Sequence, residues 1–540
     1  MAMANWTKTG TFCLADMVGL DIVSAVSQNI VDNSHDPSEE AEFALPAVHH
    51  ELLALGHLGD KTKQGYYKRV KTDKGPVSYA WDTQAKDYAP LEVGSLSAVQ
   101  RAASCKSLDE KLRNLVYAPE ADGKAAWVLI KSMLLYVARK ADEISYSYQD
   151  IDTAMRCGYN WIYGPFRIWD AIGLEKSVAR MKEEGDEIPA WIEAKLQSGN
   201  TTFMDPVSGP NILFAGKEPE LVKENSDAAL YHIGDDVLRL KFKTKANTVS
   251  VGVADMLQEA VRIAEHGYAG LVIANDGKHF SVGADLSSAT EAMRKQDWSA
   301  MATLADSLQQ ANMALKYCKH PVVAVPFGQT LGGGCEIVMH ASAAVASAET
   351  CIGLTEVGVG LVPSGGGLTQ LLVRYMDHAS KGPKADPNDF VLAAWETVAM
   401  RKLSSSAHEG VKLGYLRPTD RILLANESLL QQAKDTVLYM SEAYRPPIKK
   451  SLKLTGATGR AAIQYIFCNS KNGGFISEYD AFLMDKVAYV LSGGDAPTGT
   501  VVTEEHILQL EKETFLELLK QEKTMERIEY MLKNGKLLNN

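Results

Sequence analysis

The apolar positions of the chain change rhythm near residue 200. Before it, Ala125 to Ala141, Ile151 to Cys157 and Leu174 to Glu184 carry the three-and-four spacing of amphipathic helices. Beyond about residue 228, short apolar runs alternate with helical stretches. Val237 to Phe242, Gly270 to Ala274, Pro321 to Pro326 and Ala343 to Ala348 read as strands, with helices at Val253 to His266, Leu304 to Tyr317 and Gly332 to Ala341. Strands feeding helices predict an α/β layer. Between the two textures, from Asn200 to about Asp227, Pro206, Gly209, Pro210, Gly216 and Pro219 in a polar background break every periodicity and mark a boundary. The last segment is helical again. Ile507, Leu510, Phe515, Leu518 and Leu519 form one apolar side of a charged helix, and Met525, Ile528 and Met531 follow, which predicts a tail docked on its own chain or on another subunit.

The helical part contains a repeat. Gly10-Thr-Phe-Cys-Leu-Ala-Asp16-Met-Val-Gly19-Leu-Asp21 returns as Gly164-Pro-Phe-Arg-Ile-Trp-Asp170-Ala-Ile-Gly173-Leu-Glu175. Two such copies predict tandem related subdomains, each with its Asp near a helix start and its Phe in the core. Trp161 and Trp169 read as packing residues. Between the copies, the basic run Lys61 to Lys74 reads as a solvated hairpin or loop.

Composition narrows the function. With 540 residues, 46% hydrophobic and 23% charged, the chain has material for three to four structural units. The 67 acidic against 56 basic residues, net charge -11, argue against nucleic acid and anionic membranes as partners. Seven scattered cysteines without a CxxC pair suit reduced thiols, no apolar run reaches membrane-spanning length, and the first ten residues lack a leader pattern. A soluble cytoplasmic protein is expected. His49 and His50 lack further ligands nearby, so no metal site is expected and the pair reads as a surface or helix-end feature.

Three segments of the α/β part carry chemistry. Phe280-Ser-Val282-Gly283-Ala284-Asp285-Leu286 is a small-residue turn between a strand and a helix, where a backbone N–H can approach a ligand oxygen. Leu331-Gly332-Gly333-Gly334-Cys335-Glu336 opens an apolar helix with glycines, leaving N–H groups free for a developing negative charge. A second N–H donor from this loop, paired with one at Ala284, would stabilise an enolate-like oxygen. In Leu354-Thr-Glu356-Val-Gly358-Val-Gly360-Leu-Val-Pro363-Ser-Gly365-Gly366-Gly367 a second Glu precedes a glycine-rich loop. Two carboxyls at one substrate push their protonation apart, so that one gives a proton while the other takes one. Cys335 reads as packing, Ser364 as a helix cap or ligand contact, and His279 as exposed or near a bound phosphate.

These segments resemble the crotonase (enoyl-CoA hydratase/isomerase) superfamily. The resemblance implies a repeated ββα spiral in which Ala284 and Gly333 form the oxyanion hole and Val282 and Gly283 meet coenzyme A. Glu336 would activate water and Glu356 exchange the proton at the α-carbon, a pair that favours hydration of trans-2-enoyl-CoA over isomerisation. The Gly164 and Gly10 repeats, with Lys63-Gln-Gly65-Tyr66-Tyr67, are similar to the helical carboxy-terminal domains of 3-hydroxyacyl-CoA dehydrogenases. The order resembles bacterial bifunctional β-oxidation proteins without their amino-terminal NAD-binding domain. The expected fold is thus multidomain. An all-α dehydrogenase-type region has units at 1–120 and 121–205, followed by a linker at 206–228, an α/β crotonase-like domain at 229–490 and a helical tail at 491–540. No strand-anchored GxGxxG is present in the sequence, so no NAD site is assigned and hydration is expected to need no cofactor. The expected partners are an acyl-CoA thioester, a separate NAD-binding chain and further copies of this chain. The alternatives are a partner-dependent or non-catalytic acyl-CoA-binding subunit of a β-oxidation complex, or the bifunctional hydratase/3-hydroxyacyl-CoA dehydrogenase if the missing NAD domain is supplied separately.

Overall fold

The computed structural model describes residues 9–34, 40, 42–72, 75–91, 94, 96–105, 107–159, 161–203, 219–379, 386–424 and 426–540. The chain divides into two compact units, Met1–Pro210 and Asn211–Asn540.

In the first unit, helices α1 (Thr11–Val18), α2 (Leu20–Asn33) and α3 (Ala47–Ala54) lead into an antiparallel sheet of β1 (Tyr67–Thr72), β2 (Gly75–Asp82) and β3 (Asp87–Pro90). The basic run is therefore a hairpin with a third strand beside it. Helices α4 (Ser97–Ser104), α5 (Leu108–Val116), α6 (Ala121–Ile144), α7 (Tyr148–Tyr159), α8 (Pro165–Ile172), α9 (Leu174–Glu183) and α10 (Ala190–Gln197) follow. Their core gathers Trp127, Ile130, Leu134, Phe166, Trp169 and Met181, and the Trp169 indole N–H donates to Ser177 Oγ at 2.8 Å.

The repeat has a physical basis that its sequence does not show. In both copies two helices meet at a glycine in a conformation that a side chain disfavours, Gly19 at φ 103° and Gly173 at φ 91°. The aspartates sit in the last half of the first helix and not at a helix start. Each hooks a later stretch of backbone. The Asp16 carboxylate accepts from the N–H groups of Tyr66 and Tyr67, both at 2.8 Å, and Asp170 accepts from Phe203 N–H at 2.9 Å. The repeated phenylalanine packs on the same target, with ring centroids 4.7 Å apart for Phe12 and Tyr66 and 4.8 Å for Phe166 and Phe203. His49 is also unlike its sequence reading. It is buried and links the Leu20 carbonyl at 2.9 Å to the Tyr66 hydroxyl at 3.0 Å, because α2 and the 63–67 segment both close on it.

The second unit is built on a seven-stranded sheet. Its strands are β4 (Glu220–Glu224), β5 (Ala228–His232), β6 (Val237–Phe242), β7 (Gly270–Ile273), β8 (Val322–Ala324), β10 (Ala343–Ser347) and β12 (Arg421–Leu423), in the order β12-β10-β8-β7-β6-β5-β4. Pairing is parallel from β12 to β6 and antiparallel from β6 to β4. The outer pair β9 (Gln329–Leu331) and β11 (Cys351–Gly353) is parallel. Helices α11 (Val251–Ala264), α12 (Leu286–Arg294), α13 (Trp298–Tyr317), α14 (Gly333–His340), α15 (Gly367–Ala379), α16 (Pro387–Ala399), α17 (Ala407–Lys412) and α18 (Leu429–Ser441) surround them. Both sheet faces are covered, which is why its strands read as continuous apolar runs. Val237, Val272, Val323 and Val345 face α18, while Leu238, Leu271, Val322 and Ala344 face the opposite core.

The sequence-based domain limits shift here. Residues 206–218 of the expected linker lie outside the described residues, and the sheet starts at Glu220, inside the remainder. The edge strand β4, Glu-Leu-Val-Lys-Glu, is mostly exposed, so it carried no apolar signal. The tail is folded into this unit. After α19 (Gly456–Asn472) and α20 (Glu478–Ser492), strand β14 (Val501–Thr503) pairs with β13 (Ser451–Lys453), α21 (Glu504–Leu518) packs on α13, α15 and α20, and α22 (Glu522–Asn534) packs on α12. Among the described residues, no single helix is long and apolar enough to cross a membrane.

Candidate active site

A bridge between Ser281 and Thr330, with the Leu331 N–H donating to the Ser281 carbonyl at 2.9 Å, lays the Ser281–Ala284 turn beside β9. Gly332 follows β9 at φ 51° and ψ -121°, and a Cβ there would fall 3.0 Å from Glu356 Oε1. Only glycine accepts both that conformation and that neighbour. Gly333 then starts α14, one turn before Glu336.

The result is one cavity of about 410 Å³. Val282, Gly283, Ala284, Gly333, Glu336 and Glu356 all line it, so the structure brings together every site residue expected from the sequence. Leu286, Ala289, Met301 and Leu304 of α12 and α13 form part of its apolar wall, and Ser364 also lines it.

The two carboxyls differ in their surroundings. Glu336 is buried, and its Oε1 accepts from Gly365 N–H at 2.8 Å and Gly367 N–H at 2.9 Å. Glu356 Oε2 is buried without a hydrogen-bond partner. Burial pushes both carboxyls above the usual range; the two N–H groups pull Glu336 back, whereas the Glu336 charge pushes Glu356 further up. The two carboxyls are thus unequal: the one held by two N–H groups gives up its proton more readily than the one whose Oε2 has no partner. The loop that holds Glu336 is itself tied down: Gln309 donates to the Ser364 carbonyl and Asn312 to the Gly365 carbonyl, each at 2.8 Å.

Other expectations also meet the structure. The Cys335 thiol is buried and pushed well up, first by burial and then by the two glutamates, which leaves it a packing residue. His279 Nδ1 accepts from Gln329 N–H at 3.1 Å, so it braces the turn into β9. Sequence reasoning missed Arg401, Leu403, Phe515, Met531 and Leu537 in the cavity wall. Phe515 and Met531 were legible only as apolar positions of the tail helices, with nothing to show where those helices dock.

The enoyl-CoA hydratase/isomerase family matches residues 236–381, and the 3-hydroxyacyl-CoA dehydrogenase carboxy-terminal domain family matches residues 2–69. A relative from Bacillus subtilis, a probable 3-hydroxyacyl-CoA dehydrogenase, is 35% identical over 99% of this chain and 69% of its own length. The chain belongs to the family of this 3-hydroxyacyl-CoA dehydrogenase relative, with an enoyl-CoA hydratase/isomerase domain after the dehydrogenase carboxy-terminal domain. A second family relative, a putative fatty acid oxidation complex trifunctional enzyme of Rickettsia felis, is 27% identical over 97% of this chain and 68% of its own. The crystal structure of an enoyl-CoA hydratase from Rhodobacter sphaeroides aligns with a TM-score of 0.42 at 16% identity, covering 58% of this chain and 92% of that one. Family names that include a dehydrogenase raise the question of NAD. Among the described residues of the first unit the sheet is antiparallel, with no parallel strand–helix–strand turn to cradle a pyrophosphate, so these residues do not fit a dinucleotide. No metal-holding cluster of His, Cys, Asp or Glu occurs among the described residues.

Proposed function

We propose that the second unit adds water to a trans-2-enoyl-CoA, giving the 3-hydroxyacyl-CoA. The observation that carries the reading is the pair of unlike carboxyls, Glu336 buried and Glu356 half-buried, on one cavity with the Ala284 and Gly333 turns. In this reaction the thioester oxygen accepts from the N–H groups of Ala284 and Gly333, the second at the positive end of α14. Glu336 takes a proton from water as the oxygen bonds to C3. Glu356 gives its proton to C2, so the hydroxyl and hydrogen arrive on the same face, and transfer of the captured proton from Glu336 to Glu356 resets the pair. Val282 and Gly283 face coenzyme A. Hydration needs no further cofactor in this scheme, and no NAD-dependent step is assigned to these residues; dehydrogenation would need a nucleotide-binding portion supplied in addition.

The test is the ultraviolet absorbance of a conjugated short-chain enoyl-CoA mixed with the protein. Glu336→Gln and Glu356→Gln are each expected to lower kcat about 10²- to 10⁴-fold while acyl-CoA still binds. Full turnover in both variants would sink the assignment, and binding without turnover by the wild type would make the chain a non-catalytic acyl-CoA-binding subunit.

A further inference from the structure

The loop that seats Glu336 is held from a second side. Its N–H groups divide between two carboxyls. Those of Gly365 and Gly367 go to Glu336, while Gly366 N–H goes to Glu511 Oε2 at 2.9 Å and the Thr369 N–H and hydroxyl go to Glu511 Oε1 at 2.5 and 2.7 Å. Glu511 lies on α21, is completely buried, and makes these bonds across 142 to 145 residues of chain. Gly367 and Thr369 supply opening N–H groups of α15, which have no partner within that helix, and Gly365 and Gly366 lie just before it; all must find partners when buried. Two carboxyls from two other helices therefore cap a single helix start, and the cap supplied by α21 fixes the geometry of the one that faces the cavity.

We propose that Glu511 is a positioning residue for hydration: by holding Gly366 and Thr369 it fixes the loop whose neighbouring N–H groups keep Glu336 aimed at the water it activates. The proposal rests on the hydratase reading. The charged groups that act on α21 include Glu336 of α14, whose charge reaches Glu511, Asp306 and Lys316 of α13, which pair with Lys512 and Glu504, Tyr317 of α13, which donates to Glu504, and Lys486 of α20, which pairs with Glu517. Among them, the Glu336 charge raises the Glu511 carboxyl further than burial alone.

Glu511→Asp keeps the carboxyl group and withdraws it by about 1.5 Å, one carbon–carbon bond. In the full-length protein this is expected to lower kcat about 10²-fold and to leave KM for the thioester within about twofold. The Gly365 and Gly367 bonds that favour ionised Glu336 weaken, so the acid limb of the kcat profile is expected to move up by about half a pH unit or more. Glu511→Gln, which keeps the length and the acceptor for Thr369 but sets an amide NH2 against the Gly366 N–H, is expected to recover only part of the loss. A folded Asp variant with wild-type kcat and an unmoved limb overturns the proposal. Where the Asp variant does not fold, Thr369→Val removes only the hydroxyl donor, and an unmoved limb there overturns it equally. Should the wild type hydrate no enoyl-CoA, the hydratase reading fails separately. Positioning is then read from the Glu336 carboxyl stretch in infrared difference spectra, assigned with Glu336→Gln. An upward shift of its titration in Glu511→Asp supports the proposal, and an unshifted titration overturns it.

Discussion

His340 shows how much of this site depends on keeping charge out of its surroundings. Its ring is buried behind Glu336, and Nδ1 lies 2.7 Å from the Glu336 carbonyl, so the proton sits on Nδ1 while Nε2 has no partner. Burial, with the cations of Lys316, Arg374 and Arg417, pushes it down from 6.5 to about 3. A group depressed in this way adds stability that is complete above its unfolded value and is lost as the pH falls toward the folded one. Between about pH 6.5 and pH 5 the wild type is therefore expected to lose about 2 kcal/mol of unfolding free energy through this group, at 1.36 kcal/mol per unit. His340→Gln is expected to lack that part of the loss; equal pH slopes in urea unfolding of the two proteins would refute the account.

At the level of elements, α14 joins the two ends of the mechanism. Its start carries Gly333 and Glu336, and its last carbonyls are held by two arginines: Arg374 donates to the Met339 carbonyl and Arg417 to the Ala341 carbonyl, each at 2.7 Å. Positive charge at that end complements the helix dipole. Helix α22 closes the cavity from another direction. It is pinned by Thr524, whose hydroxyl donates to the Gly360 carbonyl at 2.8 Å, and by the fully buried Arg527, 2.9 Å from Asp480. Met531 is thereby placed in the cavity wall. Met531→Ala is expected to raise the kcat/KM ratio for a longer over a shorter acyl chain by about tenfold, measured as competing hydration of two enoyl-CoA esters; an unchanged ratio would remove α22 from substrate selection. Some of this was readable beforehand. The strand Val237 to Phe242 matches its limits because alternate residues reach both cores, and the turns at Ala284 and Gly333 are local in sequence. The placement of α21 and α22 was not readable, since docking is a long-range choice among apolar faces and a buried Glu511 reads as an ordinary charge on an amphipathic helix.

For the whole molecule, the division at Pro210 and Asn211 separates a repeat-built helical unit from the unit that holds the cavity. Each has its own buried core. Two calorimetric transitions are expected. Asp16→Ala, which leaves the Tyr66 and Tyr67 N–H groups without their acceptor, is expected to lower one of them by several degrees and to leave hydratase kcat/KM within about twofold. A single transition moved by Asp16→Ala, with activity lost in proportion, would show that the cavity depends on the helical unit. The repeat itself was legible as a spacing of Phe, Asp and Gly. Its meaning, an aspartate hooking backbone 50 residues ahead in one copy and 33 in the other, was not, because the hooked residues share no fixed spacing.

The span from Gly366 to Glu511 also has a duration. Chains are synthesised at roughly 5–20 residues per second, so the 145 residues between the loop and its second carboxyl take about 7–30 s to appear. During that interval the opening N–H groups of α15 have Glu336 and water to receive them, but not Glu511. If the site works as proposed, its base is made before its brace, and slowing translation between these two points would lengthen the time for which the loop lacks Glu511.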